Sequence, residues 1–447
     1  MRPNPADRRR WVVGLAARVG VLMLASGAQA RETERSVRAV ATGLGLPETE
    51  VVVSYSTVMV SNIDSDPAPV GEGTSGTRPE GTVAADVTTA IQAVRVWQPD
   101  YHRLAAAAAL VRNVHEGRTD LAAAQAGLDR AVAIASPYPR WLRFAAPALL
   151  SYGVTIMFGG RLLDALTTLG IGLAIQPALE RIERSELSAF FQTLTGVAAT
   201  TLFVVLLVKI GIPIHGGLVL TGSLLRFLPG AALVAGMHDF LDGALTSGVT
   251  RLAEVFLYGA AVAGAASVVL SFGAGIGVRL RITTAGQEVW PAGVIVATGT
   301  FAVTCYALRL AVPWRVVVTV AILGAVVVVL GRGMTPLTAG MGQQLRTLVA
   351  ALTVGVLGQT LAHRARQPAA LWLVPTILPL LPAPSTLLPL LAETEAARQA
   401  LQGQALATAF SIGVGVGCGS ILLETSARSW PRLIHPRHPQ GRTRTAP

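Results

Sequence analysis

The chain reads as a mainly α-helical polytopic membrane protein: ten transmembrane helices in two inverted five-helix repeats, preceded by a small α/β soluble domain. Three observations predict this class. Its 447 residues are 52% hydrophobic and only 14% charged, with a mean hydropathy of +0.54, too apolar for a soluble chain of that length. From Trp141 onward, apolar runs of membrane-crossing length follow one another. The fourth run in each set of five is interrupted by a Leu-Pro-small triplet.

The net charge of +11 arises from 36 basic residues against 25 acidic ones, and every basic residue except Lys209 is an arginine. The arginines are scattered rather than gathered on an aromatic-rich stretch, which points to membrane orientation and away from nucleic-acid binding. Cys305 and Cys418 each sit in an apolar run, so neither a disulfide framework nor a cysteine metal site is supported.

Residues 8–30 imitate a secretory signal, with a basic start, an apolar middle and Ala28-Gln29-Ala30 at the end. Arg18 interrupts the apolar part, however, and Leu15, Val19, Leu22 and Met23 recur at helical spacing, which predicts an amphipathic helix of a cytosolic domain. Val51–Ser61 and Ala90–Trp97 are strand-like. Between them Asp64–Gly81 is rich in Asp, Pro and Gly and reads as a loop; its Gly71, Gly73 and Gly76 match GxGxxG without the helix that a nucleotide site needs. From Asp100 to Ala135 the pattern is helical, with a turn around Gly117.

Spans are predicted near 142–159, 162–179, 189–210, 216–237 and 252–278, then 291–309, 314–331, 338–361, 369–391 and 402–424. The domains follow: a cytosolic α/β domain over 1–140, five-helix halves over 141–280 and 290–425, and a basic cytoplasmic tail over 426–447 that suits anionic lipid. With the N-terminal domain inside, the inner loops and tail after residue 140 carry twelve arginines, five of them in the tail. The outer loops carry six cations (Arg161, Lys209, Arg279, Arg281, Arg332 and Arg398). The asymmetry places both termini in the cytoplasm of a multi-pass cytoplasmic-membrane protein.

The interruptions read LLRFLPGAAL (Leu224–Leu233) and ILPLLPAPST (Ile377–Thr386). Five spans is an odd number, so the second set enters the membrane from the opposite side, as in the inverted repeats of many secondary transporters. Broken helices expose backbone donors and acceptors at membrane depth, where such transporters bind substrates and ions.

Several motifs resemble the threonine/serine exporter family, over nearly the whole chain. They are R-x-G-x-x-x-x-x-S-G-A (Arg18, Gly20, Ser26, Gly27, Ala28), D-Y-x-R-L (Asp100, Tyr101, Arg103, Leu104) and F-G-G-x-x-x-D (Phe158, Gly159, Gly160, Asp164). The most specific is P-G-x-x-L followed by D-x-x-x-G-x-x-x-S-G-x-x-R-x-x-E, here Pro229, Gly230, Leu233, Asp239, Gly243, Ser247, Gly248, Arg251 and Glu254. Pro375, Pro379 and Pro382 resemble the family's second proline-rich segment, although Ala383 stands where a glycine is usual. The resemblance implies a cytosolic N-terminal domain, ten helices in two homologous halves, and export of small amino acids driven by the proton-motive force. Some relatives with split halves are associated with a dicarboxylate.

For substrate binding the candidates are Arg226, which can hold a carboxylate through a bidentate pair, and Pro229, Gly230, Pro379 and Pro382, whose breaks supply half-helix ends. Arg226 equally fits a lumen-facing arginine with a structural partner. For coupling or gating the candidates are Asp239, Arg251, Glu254 and Asp164. The bland alternative is that Asp239 caps the short helix after the fourth span while Arg251 and Glu254 pair across one turn; Asp242 reads as solvated. His215, His238 and His363 are too scattered to form a ligand set, so no metal, cofactor or catalytic residue is expected. Gly415 and Gly419 have the small-xxx-small spacing of close helix packing. The implied partners are a small amino acid, protons and lipid, and homo-oligomerisation is left open. A dicarboxylate exporter, a passive channel, or a membrane-anchored hydrolase or sensor using Asp100, His102 and His115 stand as alternatives.

Overall fold

In the computed structural model the described residues are 5–63, 87–95, 97–185, 187–280, 290–381 and 394–429. The chain opens with α1 (Pro5–Ala25) and α2 (Ala30–Gly43), joined through Ser26-Gly27-Ala28. Gly27 makes that turn possible by adopting φ +101, a region costly for a residue with a Cβ. The expected amphipathic first helix is instead buried nearly all round, with Val12, Val13, Leu15, Ala16, Val19 and Met23 inside. The cause is packing from several sides: strands, α2 and two later helices all lie against it. Arg18, which suggested a polar face, is accounted for locally by an ion pair with Asp129 at 2.9 Å.

Val51–Ser61, expected as one strand, is a hairpin of β1 (Thr49–Val53) and β2 (Thr57–Ile63). The polar Ser54-Tyr55-Ser56 turn is closed by Ser54 N–H donating to the Thr57 carbonyl at 2.9 Å. The second expected strand is β3 (Val87–Ala93), antiparallel to β2 with Met59 opposite Ile91, giving the order β1-β2-β3. The helical stretch after it divides at Gly117 as expected, into α3 (Tyr101–His115) and α4 (Leu121–Ala133). Asp100 caps α3 by accepting from His102 and Arg103 N–H at 3.0 and 3.1 Å, so this candidate for hydrolytic chemistry is engaged structurally. Asp64–Gly81, with its GxGxxG, lies outside the described residues, as does the tail from residue 430.

The remainder is helical: α5 (Arg140–Met157), α6 (Leu162–Glu183), α7 (Ala189–Lys209), α8 (Gly216–Leu224) with a 3-10 turn at Leu225–Phe227, α9 (Gly230–Leu241) and α10 (Leu245–Gly275). Then come α11 (Ala292–Arg309), α12 (Trp314–Gly331), α13 (Gln343–Ala365), α14 (Ala370–Thr376) with a 3-10 turn at Leu378–Leu380, and α15 (Glu395–Ser429). Among the described residues seven helices (α6, α7, α10, α11, α12, α13 and α15) are long and apolar enough to cross a membrane. The number is eight if α8 and α9, bent by 53°, form one span. Exposed Phe256, Leu257 and Val268 on α10, and Val318 and Ile322 on α12, give an apolar exterior of the kind a bilayer covers.

Helix neighbours recur between the halves. The central pair is α5 on α11; around it α5 packs on α6 and α8 as α11 packs on α12 and α14. Likewise α7 packs on α6, α8 and α10, and α13 packs on α12, α14 and α15. Two hydrogen bonds show that α5 and α11 run antiparallel. Trp290, just before α11, donates to the Gly160 carbonyl just past α5 (2.9 Å), and Tyr138, just before α5, donates to the Val312 carbonyl just past α11. Gly415 and Gly419 do serve close packing, since a Cβ on Gly419 would stand 2.7 Å from the Val356 nitrogen of α13.

Candidate functional site

Both interruptions have the same local form. A 3-10 turn ends in an extended leucine, Leu228 (φ −74, ψ 132) or Leu381 (φ −54, ψ 136), followed by a proline. The reason is steric, because a proline disfavours helical backbone in the residue before it and lacks the N–H that would continue the helix. The two breaks meet. A Cβ on Gly230 would lie 3.1 Å from Leu381 Cδ1 and 3.8 Å from Ile377 Cδ1, so glycine permits the second break to press on the first. Gly230 is thus brought against Ile377 and Leu381, which flank the partly buried Pro379, while Pro382 falls outside the described residues.

Arg226 lies just before the first break, partly buried. Its Nη2 donates to Gln176 Oε1 of α6 at 2.6 Å, and its guanidinium stands 5.5 Å from the Phe227 ring centre. Its own carbonyl accepts from Arg309 at 3.1 Å. Gln176 is the structural partner that the sequence did not name, and it takes one of five guanidinium N–H donors.

Asp239 and Arg251 are almost fully buried, at 0% and 4% exposure, and pair at 3.0 Å. Asp239 does not cap the helix after its own span. Its Oδ1 accepts from Ala30 N–H, at the start of α2, at 3.0 Å, so it caps a helix 209 residues away in sequence. Arg251 also donates to the Ala28 carbonyl (3.1 Å) and lies 4.9 Å from the Trp97 ring centre and 5.7 Å from that of Tyr55. Those two rings stack at 4.8 Å. Glu254 does not pair with Arg251; it accepts from the Tyr55 hydroxyl at 2.9 Å. Burial first, and the Glu254 carboxylate second, raise the pKa of Tyr55, keeping it a donor. The cluster stands toward one end of the helices: α10 has 31 residues, about 46 Å, against a hydrocarbon layer of about 30 Å, which lets its first turns reach the N-terminal segment.

Asp164 is also fully buried, at the start of α6. It accepts from Arg161 N–H (2.9 Å), His215 N–H (2.8 Å) and His215 Nδ1 (2.8 Å), tying the start of α8 to that of α6. This second node lies by the α5–α6 turn, at the end of α5 away from the N-terminal segment. The structure thus divides the predicted coupling residues into two groups. Ser26-Gly27-Ala28, Asp239, Arg251 and Glu254 meet at one end, and the Phe158–Asp164 motif forms the other.

Comparison with known proteins gives these motifs a setting. Residues 14–273 match the ThrE family model, described as "Putative threonine/serine exporter", and residues 295–421 match ThrE_2, "Threonine/Serine exporter, ThrE". The chain belongs to the threonine/serine exporter family. It is 28% identical over 429 residues to a Mycobacterium tuberculosis (strain ATCC 25618 / H37Rv) protein named "Probable threonine/serine exporter", covering 92% of this chain and 76% of that one. It is 24% identical over 436 residues to the "Threonine/serine exporter" of Corynebacterium glutamicum, covering 91% and 81%. No solved structure matches the chain. Membership makes it a multi-pass membrane protein of a transporter family.

Tyr55, Trp97, Gln176 and His215 were missed as site residues. Only His215 carried a usable signal, as a histidine beside a helix start; the others acquire their roles through contacts across the fold.

Proposed function

We propose that this protein exports small amino acids such as threonine and serine across the cytoplasmic membrane, by alternating access coupled to the proton-motive force. The observation that carries this reading is the meeting of two Leu-Pro breaks, Gly230 against Leu381, between halves whose central helices run antiparallel. On this reading ten spans form two inverted sets, residues 1–140 are a cytosolic domain, and both termini are cytoplasmic.

The amino acid sits at the breaks. Arg226 takes its carboxylate, and backbone around Pro229, Gly230, Pro379 and Pro382 takes its ammonium. Asp239, Arg251 and Glu254 close the cytoplasmic end by clasping Ala28, Ala30 and Tyr55. Asp164 and His215 close the other end. Each closure must break for substrate to pass, and a proton reaching a carboxylate is one way to break it.

Proteoliposomes loaded with labelled threonine test this. Label is expected to leave faster under an imposed proton gradient, and Arg226→Gln is expected to raise KM by about tenfold, the loss of one charged hydrogen bond. Equal efflux with and without the gradient would indicate a passive channel.

A further inference from the structure

A cavity of about 270 Å³ lies between α2 and the ends of α9, α13 and α15. It sits at the far end of α9 from the Pro229 break, and α9, with 12 residues, is roughly 18 Å long. The break and the cavity are therefore separate places on one helix.

Gln359 and Gln367 both line this cavity, and the Oε1 of each is shut off from solvent with no hydrogen-bond partner among the described residues. A buried amide oxygen without a donor is uncommon and leaves a demand unmet. As they stand the two oxygens are turned away from the open space, and a turn about χ3, a soft torsion, brings each to an occupant. Acidic and basic side chains share the wall: Glu32 and Asp242 against Arg35 and Arg366. An ammonium supplies the donors that the amides lack, and a carboxylate suits the arginine side. The volume falls just below the roughly 300–1,000 Å³ of drug-sized ligand sites, and the small Ala362 and Ala369 leave room for a short side chain.

We propose that this cavity is a second binding site for a small zwitterionic amino acid, shared between α2 and the membrane helices, which receives cargo before it reaches the breaks. It rests on the export reading above. It also gives the N-terminal segment a direct part in handling substrate, because α2 contributes the wall that bears Glu32 and Arg35.

The test uses full-length protein in lipid nanodiscs with labelled threonine, alongside export from proteoliposomes. The wild type is expected to show two threonine sites. The double variant Gln359→Met/Gln367→Met, which keeps volume and removes both acceptors, is expected to lose one site or weaken it by at least about tenfold and to raise the export KM. Ala369→Leu, which fills the cavity without touching a polar group, is expected to do the same. Pro229→Ala is expected to keep the cavity site while losing export. Unchanged binding and KM in both cavity variants, with wild-type export intact, would overturn the cavity and leave the export reading standing. No threonine or serine export by the wild type would overturn both.

Discussion

Asp239 and Asp164 are two fully buried carboxylates at opposite ends of the helices, and each accepts from a backbone N–H at a distant helix start and from a basic side chain. The basic side chains differ. Asp239 meets the guanidinium of Arg251 at 3.0 Å, whereas Asp164 meets the imidazole of His215 at 2.8 Å, with the Arg161 guanidinium farther off at 3.5 Å. The elements they join also differ. Asp239 holds the N-terminal segment to α9 and α10, while Asp164 holds α6 to α8 within the membrane part. One end is therefore a buried ion pair that clasps the N-terminal segment, and the other a carboxylate–imidazole contact that ties two membrane-part helices together.

The largest expected effect tests the clasp. Arg251→Met leaves Asp239 buried without its cation, and Asp239→Ala strands Arg251; each is expected to cost about 3–5 kcal/mol. The measurements are the thermal midpoint of purified protein and protease cleavage of the N-terminal segment. The double variant is expected to recover much of the loss, because replacing both charges also removes their desolvation cost. Additive losses would mean that the two residues act separately.

Next in size is Tyr55→Phe, which removes the donor to Glu254 and is expected to cost about 1.5–3 kcal/mol in the same assays, the range for a hydrogen bond to a charged group. The other end is probed with His215→Ala, which removes the ring nitrogen bonded to Asp164 and is expected to cost about 1.5–3 kcal/mol in the thermal assay while leaving protease cleavage of the N-terminal segment at the wild-type rate. Arg251→Lys is expected to speed that cleavage. If the two variants exchanged these behaviours, the assignment of the ends would be reversed.

The smallest effect concerns Glu32 on α2. Burial pushes its carboxyl from 4.5 up to about 7, with Arg35 opposing. The folded state thus holds a proton that the unfolded state releases, so stability falls as pH rises from about 4.5 through 7 and then levels off. Glu32→Gln is expected to remove that slope, raising the thermal midpoint above pH 7 and leaving it unchanged near pH 4.

Much of this was legible in the sequence where the cause is local. The break at Pro229 follows from proline chemistry, and the apolar runs locate the helices because bilayer thickness sets their length. The Ser54-Tyr55-Ser56 turn was hidden by β-branched residues on both sides, which made two strands read as one. Arg18 suggested a polar face because its partner, Asp129, is 111 residues away. The pairing of Arg251 with Asp239 rather than Glu254 depends on the fold around Gly243, where φ is +81, bringing α9 back along α10. Helical spacing alone favoured the wrong neighbour. Arg226 showed its charge but not its partner, because Gln176 arrives from a different helix.

The most direct test of alternating access is accessibility at the break from each side. Ala231→Cys, one residue past Gly230, would be placed in a background with Cys305 and Cys418 replaced by serine, then challenged with a membrane-impermeant maleimide in vesicles of either orientation. Labelling is expected from both sides, with the balance shifting when the proton gradient is reversed or threonine is added. Labelling from one side only, whatever the gradient or substrate, would contradict alternating access at the two breaks.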